Sequence, residues 1–147
     1  MSREYKYKAY INNPIHGTGI FKVKSINFNP LVVTVIIPNG KYIDGIELTD
    51  EVQFFEGEVE LLEYTGLDDK NEQEVYEGYI LEFNLNIGNG KVEAIKVPVI
   101  YYTCEFAIFI DDYENSFYLS LSDLVGELGQ DFKVLGNIYQ NPELLQN

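Results

Sequence analysis

Polar and apolar residues alternate in twos along most of this chain. Glu4 to Ile11 sets Tyr5, Tyr7 and Ala9 against Lys6, Lys8 and Tyr10, and Ile20 to Phe28 sets Phe21, Val23 and Ser25 against Lys22 and Lys24. A period of two predicts strands with one wet face. Leu31 to Ile37, Leu-Val-Val-Thr-Val-Ile-Ile, is a continuous run, the pattern of a strand buried on both faces. Pro38 to Lys41 predicts a turn and Tyr42 to Leu48 a short strand. Thr49 to Gly57 is ambiguous, with Thr49 placed to cap a short helix over Asp50 to Phe55 whose carboxylates stand at the favourable end of the dipole. Glu56 to Tyr64 alternates again.

Thr65 to Glu74 is polar, carries a glycine, and predicts a loop. Val75 to Phe83 predicts a central strand, and Gly78 early within it marks a bulge or a close backbone approach. Asn84 to Asn89 reads as a hairpin turn, followed by strands over Lys91 to Val97 and Ile100 to Ile110. Asp111 to Asn115 is a predicted turn, and Ser116 to Leu119 a short strand. Ser120 or Ser122 would cap a helix through Leu128 that Gly129 stops. Asp131 to Leu135 is the last predicted strand. Asn141-Pro142-Glu143 starts a single helical turn. Closely spaced strands separated by turns predict a mainly β protein, with antiparallel strands in small barrels or rolls and one or two short helices.

Three ordered segments carry a resemblance. Leu62-Glu63-Tyr64-Thr65-Gly66-Leu67, Asp69-Lys70-Asn71 and Tyr76-Glu77-Gly78 together resemble the signature of the YopX family of phage and prophage proteins. Arg3-Glu4-Tyr5-Lys6-Tyr7-Lys8-Ala9 is similar to that family's opening. Gly136-Asn137-Ile138-Tyr139-Gln140-Asn141-Pro142-Glu143-Leu144-Leu145 is similar to its closing motif. Two positions depart from the pattern. Tyr79 stands where the family usually has Asp, and Glu72 where it often has Gly. The resemblance implies an SH3-like β roll over residues 64–147, a β subdomain over 1–63, and a setting inside a bacterial host. It implies no established activity.

Composition narrows the chemistry. The chain has 147 residues, 46% of them hydrophobic, which is enough for a core in one domain or two small ones. Its 12 Tyr and 9 Phe favour strands. The net charge of −14 opposes non-specific nucleic-acid binding. The first 45 residues nevertheless carry six basic and two acidic side chains. If the first two strands pair, Lys6, Lys8, Lys22 and Lys24 share a face with Tyr10, a weak nucleic-acid patch. The one His and one Cys exclude a zinc set and an internal disulfide. Cys104, between Thr103 and Glu105, reads as a buried structural thiol in an apolar strand, consistent with a reducing cytoplasm. The opening residues form no secretory signal, and no apolar run is long enough to span a membrane.

No cofactor, metal or catalytic group is expected. The acid-rich Asp68, Asp69, Asn71, Glu72 and Glu74 lack the ligand alternation of a calcium loop. Glu77 is expected to hydrogen-bond loop amides near Thr65 and Gly66, and Asn137 to satisfy backbone groups near the chain end. The family-motif residues Tyr64, Thr65, Gly66, Leu67, Asp69, Tyr76, Glu77, Gly78, Gly136, Asn137, Ile138, Tyr139, Asn141 and Pro142 therefore read as structural. The expected function is a non-enzymatic accessory module that contacts a phage or host protein or a second copy of itself. The alternative is a nucleic-acid-binding accessory acting through the basic first strands.

Overall fold

The computed structural model of the chain describes residues 5–102, 104–111, 116–129 and 131–146. Arg3 and Glu4 of the opening motif, Thr103, and most of the turn expected at Asp111 to Asn115 lie outside them. The fold is mostly antiparallel β in several small sheets, with one short helix and a 3-10 turn. The chain divides between Glu63 and Tyr64 into two compact units.

The first unit is built from β1 (Tyr7–Asn13), β2 (Gly17–Asn27), β3 (Val32–Ile43), β4 (Ile46–Phe55) and the first half of β5 (Val59–Asp68), ordered β4-β3-β2-β1-β5. Every pairing is antiparallel. One face collects Ala9, Ile11, Val33, Val35, Ile37 and Phe54 into a core, with Phe21, Val23, Val52 and Leu61 packed against it. Burying each such Val, Ile or Phe side chain stabilises the unit by about 1.5–3 kcal/mol. Along β3 Val33, Val35 and Ile37 are buried while Val32, Thr34 and Ile36 are only half-buried, so the run expected to be covered on both faces is fully covered on one.

The helix expected at Asp50 to Phe55 does not form. Those residues belong to β4 and pair with Ile37 to Val32 of β3, turning Val52 and Phe54 into the core. Cross-strand pairing and burial outweigh the local cap and dipole signals. The turn expected at Pro38 to Lys41 is instead a bulge, where the register passes from Pro38↔Thr49 to Tyr42↔Glu47. The reversal itself falls at Asp44-Gly45, both with positive φ (52° and 78°), the conformation a two-residue hairpin turn needs.

The second unit holds β6 (Glu74–Tyr76), which pairs with the second half of β5, and two three-stranded sheets. One is ordered β12-β7-β8, from β7 (Tyr79–Gly88), β8 (Lys91–Pro98) and β12 (Lys133–Asn137). The other is ordered β11-β10-β9, from β9 (Ile100–Tyr102), β10 (Glu105–Ile110) and β11 (Phe117–Ser120). Helix α1 (Leu121–Leu128) starts at Ser120, whose hydroxyl accepts the Asp123 N–H at 3.1 Å, and ends at Gly129. Leu121, Leu124, Val125 and Leu128 recur at helical spacing and face the core of Val75, Leu81, Phe83, Val99, Ile108 and Phe132.

Several boundaries differ from the sequence reading. β5 runs on to Asp68, so only Asp69 to Gln73 remain as loop. The strand expected over Val75 to Phe83 breaks at Gly78 into β6 and β7, and β7 reaches Gly88, leaving Asn89-Gly90 as the turn. Ile100 to Ile110 is two strands. The residue at their junction, Cys104, is exposed and has φ 65°, which overturns its reading as a buried core thiol. The last strand sits two residues later than expected.

Candidate functional site

Tyr5 to Ala9 of the opening segment and Leu62-Glu63 lie in the first unit, and the other segments of the recognised pattern meet in the second, largely through hydrogen bonds to backbone groups. Thr65 and Gly66 form a bulge in β5, between the pairs Tyr64↔Tyr76 and Asp68↔Glu74. Gly66 supplies the positive φ (88°). The Thr65 hydroxyl donates to the Val75 carbonyl at 2.8 Å and accepts the Leu67 N–H at 3.2 Å. Tyr64, Tyr76 and Tyr79 form a buried ring ladder with centroids 5.4 and 5.5 Å apart. Tyr79, one of the two departures from the family pattern, is the end of that ladder.

Asp69 is 2% exposed. Its Oδ1 accepts the N–H groups of Asn71 (2.8 Å) and Gln73 (2.9 Å), and its Oδ2 accepts the Val134 N–H at 2.9 Å. Backbone dipoles satisfy the charge. The same loop gains a bond from the Lys70 N–H to the Phe132 carbonyl at 3.0 Å. The carboxylate therefore ties the loop to β12, 65 residues away. Asp68 accepts the Tyr64 hydroxyl at 2.7 Å and Glu74 the Tyr76 hydroxyl at 3.3 Å. Among the described residues no three His, Cys, Asp or Glu side chains are grouped to hold a metal ion.

Glu72 lies in this loop with φ 63°. The glycine that the family pattern often has there thus answers a left-handed backbone that a side chain adopts at a cost of about 1 kcal/mol. Glu72→Gly is expected to raise the urea midpoint by the equivalent of about 0.5–1 kcal/mol. An unchanged or lower midpoint would refute the backbone account.

Gly78 (φ 84°) joins the other segments. Its N–H donates to the Val99 carbonyl at 2.8 Å and its carbonyl accepts the Ile138 N–H at 2.9 Å. A Cβ there would lie 3.3 Å from Tyr139 Cε2. Asn137 organises the closing turn. Its Oδ1 accepts the N–H groups of Tyr139 and Gln140 (3.0 and 2.9 Å), and its Nδ2 donates to Gln140 Oε1 at 3.0 Å. Its N–H donates to Asn141 Oδ1 at 3.2 Å, and Pro142 then opens the 3-10 turn Pro142–Leu145. Glu77 is half-buried at the edge of this arrangement.

The lysines fall in the first unit. Lys8 and Lys22 are direct partners between β1 and β2, two places from the Tyr10↔Ile20 pair on the same face. Lys24 sits at a register shift of β2 and is ion-paired to Glu51 at 2.6 Å, both half exposed. Lys6 precedes β1. Between Glu4 and Glu63 five basic residues stand against nine acidic ones. The His16 ring meets Phe54 edge-on at 6.0 Å. Exposed Cys104 borders a shallow cleft of about 260 Å³ with Thr65, Leu67, Tyr101 and Leu121.

Two exposed apolar features had no forewarning in the motifs. The first is the end of the β3–β4 hairpin. Ile46 and Leu48 keep the alternation of Val52 and Phe54 along β4, and Ile43 pairs with Ile46, so all three extend the core face of the sheet beyond its core. Ile46 is 70% exposed, Tyr42 63% and Ile43 59%. The second lies on the sheet of β9, β10 and β11, where the rings of Tyr102, Tyr118 and Phe109 gather in the open.

The arrangement defines a small all-β protein whose recognised residues build bulges, turns and a buried carboxylate clamp. Residues 26–146 match the YopX protein family, and the chain belongs to it. The crystal structure of protein EF1440 from Enterococcus faecalis is similar in fold, with a TM-score of 0.61 at 22% identity, over 99% of this chain and 100% of that one. No curated protein matches.

Proposed function

We propose that this protein is a non-enzymatic interaction module that binds another protein through the end of the β3–β4 hairpin, as an accessory of a phage or prophage inside a bacterial cell. The observation that carries the reading is the exposed Ile43, Ile46 and Leu48 on the continuation of a core face. An apolar strip of this kind, rimmed by polar groups, marks a contact surface. Asp44 at the turn and Asp50 on the same face flank it, which favours a partner that frames its own apolar side chains with basic ones. The motif residues support the reading in a second way. Their polar atoms are engaged in holding the fold, which leaves contact rather than bond-making as the use of the surface.

A photo-crosslinking residue in place of Leu48, which shares the face of Ile43 and Ile46, activated in bacterial cells, tests this. A discrete adduct to one other protein is expected, and Ile43→Lys with Ile46→Lys should abolish it. These sites are exposed, so the double variant should keep its stability within about 0.5 kcal/mol per site. No adduct, or one that survives the double variant, overturns the reading. Salt-sensitive retention on heparin that Lys8→Ala and Lys22→Ala remove would move the contact to the β1–β2 face and to nucleic acid.

A further inference from the structure

The sheet β11-β10-β9 has an outer face as well as a core face. Along β10, Phe106, Ile108 and Ile110 enter the core, so Glu105, Ala107 and Phe109 point the other way. The register places Tyr102 opposite Glu105, Ser120 opposite Ala107, and Tyr118 opposite Phe109. Tyr102 and Tyr118 therefore start from the two outer strands, one level to either side of Ala107. Their rings meet across the central strand, with centroids 3.7 Å apart and planes 8° from parallel. The stack accounts for the 1% exposure of Ala107 on a face that is otherwise open. Phe109 joins it, 4.8 Å from the Tyr118 ring. All three rings remain about 40% exposed. Only a residue as small as alanine at the centre lets the two tyrosines close over the strand.

A carboxylate stands at each end of this strip. Glu105 is exposed beside Tyr102. Asp111, exposed just beyond Phe109 in the same alternation, accepts the Ser116 hydroxyl at 2.5 Å. A depression of about 650 Å³ alongside is lined by Ile95, Val97, Phe109 and Leu145, with Glu93 and Asp111 against the single cation Lys96. Residues 64–147 carry 15 acidic and four basic side chains.

We infer that this face binds a proline-rich peptide segment that carries two arginines or lysines about six residues apart. Pyrrolidine rings of a polyproline helix stack on exposed aromatic rings and lose little freedom on binding. A cation at each end of the segment would meet Glu105 and Asp111. Those two residues are six apart on an extended strand, roughly 20 Å. A polyproline helix rises about 3.1 Å per residue, so the same span takes about six residues. Strand addition is the poorer fit, because β9 has three residues and β11 four, which offers few backbone groups at either edge. Nucleic acid would bring phosphates against the carboxylates. A second copy would set Glu105 and Asp111 against their own charge.

The test uses the full chain and a synthetic proline-rich peptide of about ten residues with two arginines at that spacing. Binding is followed by NMR of the Tyr102, Phe109 and Tyr118 ring signals. Those three signals are expected to shift together. Tyr118→Ala and Tyr118→Leu, the second of which keeps an apolar cover without an aromatic face, should each weaken binding about tenfold. Charge reversal by Glu105→Lys with Asp111→Lys should weaken it similarly and more so at low salt. The hairpin variant Ile43→Lys/Ile46→Lys should bind the peptide like wild type, so this inference and the proposed function fail separately. Absence of ring shifts overturns the inference. So does equal affinity in a folded Tyr118→Leu variant, or binding of oligothymidylate or a soluble glucan where the peptide does not bind.

Discussion

Asp69→Ala is expected to lower stability by about 4 kcal/mol, and Asp69→Asn by about 2 kcal/mol. The alanine variant strips the acceptor from three N–H groups, those of Asn71, Gln73 and Val134. Each bond to a charged group contributes about 1.5–3 kcal/mol, and a partly buried donor left without a partner costs its full desolvation. The asparagine variant keeps one oxygen. That oxygen can hold the Asn71 and Gln73 donors, which leaves the amide nitrogen facing the Val134 N–H, donor against donor. The loop then keeps its own turn and loses its tie to β12. The expected reading is therefore split. Amide exchange at Val134 should accelerate in both variants, whereas exchange at Asn71 and Gln73 should accelerate strongly only in Asp69→Ala. Loss of 4 kcal/mol corresponds to a melting temperature lower by roughly 10 °C for a chain of this size. Equal stability of wild type and Asp69→Ala would show that the clamp contributes nothing.

That clamp shows where sequence reasoning stops. Asp69 lies in a polar run that reads as a loop, and it does sit in one. What the run does not carry is the location of its acceptors' partners, because Val134 is brought to it by the fold and not by any local pattern. The same holds for Gly78. A glycine early in a strand signalled a bulge or a close approach, and the close approach exists, but the approaching Ile138 and Tyr139 come from the far end of the chain. Local patterns were legible wherever one face is dry. Tyr7 to Ile11, Val23 and Val33 to Ile37 alternate because one side packs on the core, and that alternation is written in the residues themselves. Helix α1 was legible from its capping serine and its stopping glycine, since both act within one turn.

The misreadings have a common physical source. Asp50 to Phe55 satisfied a helix start locally, and only the pairing with β3 makes it a strand. Cys104 stood inside what looked like one long apolar strand, and the reversal there needs a left-handed residue that no glycine or asparagine announces. The aromatic strip was similarly hidden. Tyr102, Phe109 and Tyr118 look like any strand residues of a tyrosine-rich chain until the register puts them around Ala107. A signal was present, since Glu105, Ala107 and Phe109 occupy the positions that alternate with Phe106, Ile108 and Ile110. Reading it required knowing which set faces the core. The recognised residues, by contrast, stood out in the sequence because bulges and turns demand particular residue types at fixed spacing.

Gly136→Ala should destabilise the closing turn by about 2–3 kcal/mol. A Cβ at Gly136 would run into the Asn141 side chain, lying 2.8 Å from its Cγ and overlapping its Oδ1. Asn141 has little freedom to yield. Its Oδ1 accepts the Asn137 N–H, its own N–H donates to the Asn137 carbonyl at 2.9 Å, and the following Pro142 restricts its backbone. Rotating the side chain away relieves the overlap only by breaking the first of these bonds. The alternative is to move β12 off β7 at the register shift between Val134 and Gly136. A double-mutant cycle separates steric conflict from a general intolerance of side chains at this site. Asn141→Gly alone loses a hydrogen bond and gains backbone freedom, costing about 1–2 kcal/mol. In the Gly136→Ala/Asn141→Gly double variant the overlap is gone, so the combined loss should fall below the sum of the single losses by at least about 1 kcal/mol. Strict additivity in urea denaturation would mean that the approach of Asn141 is not what excludes a side chain at Gly136.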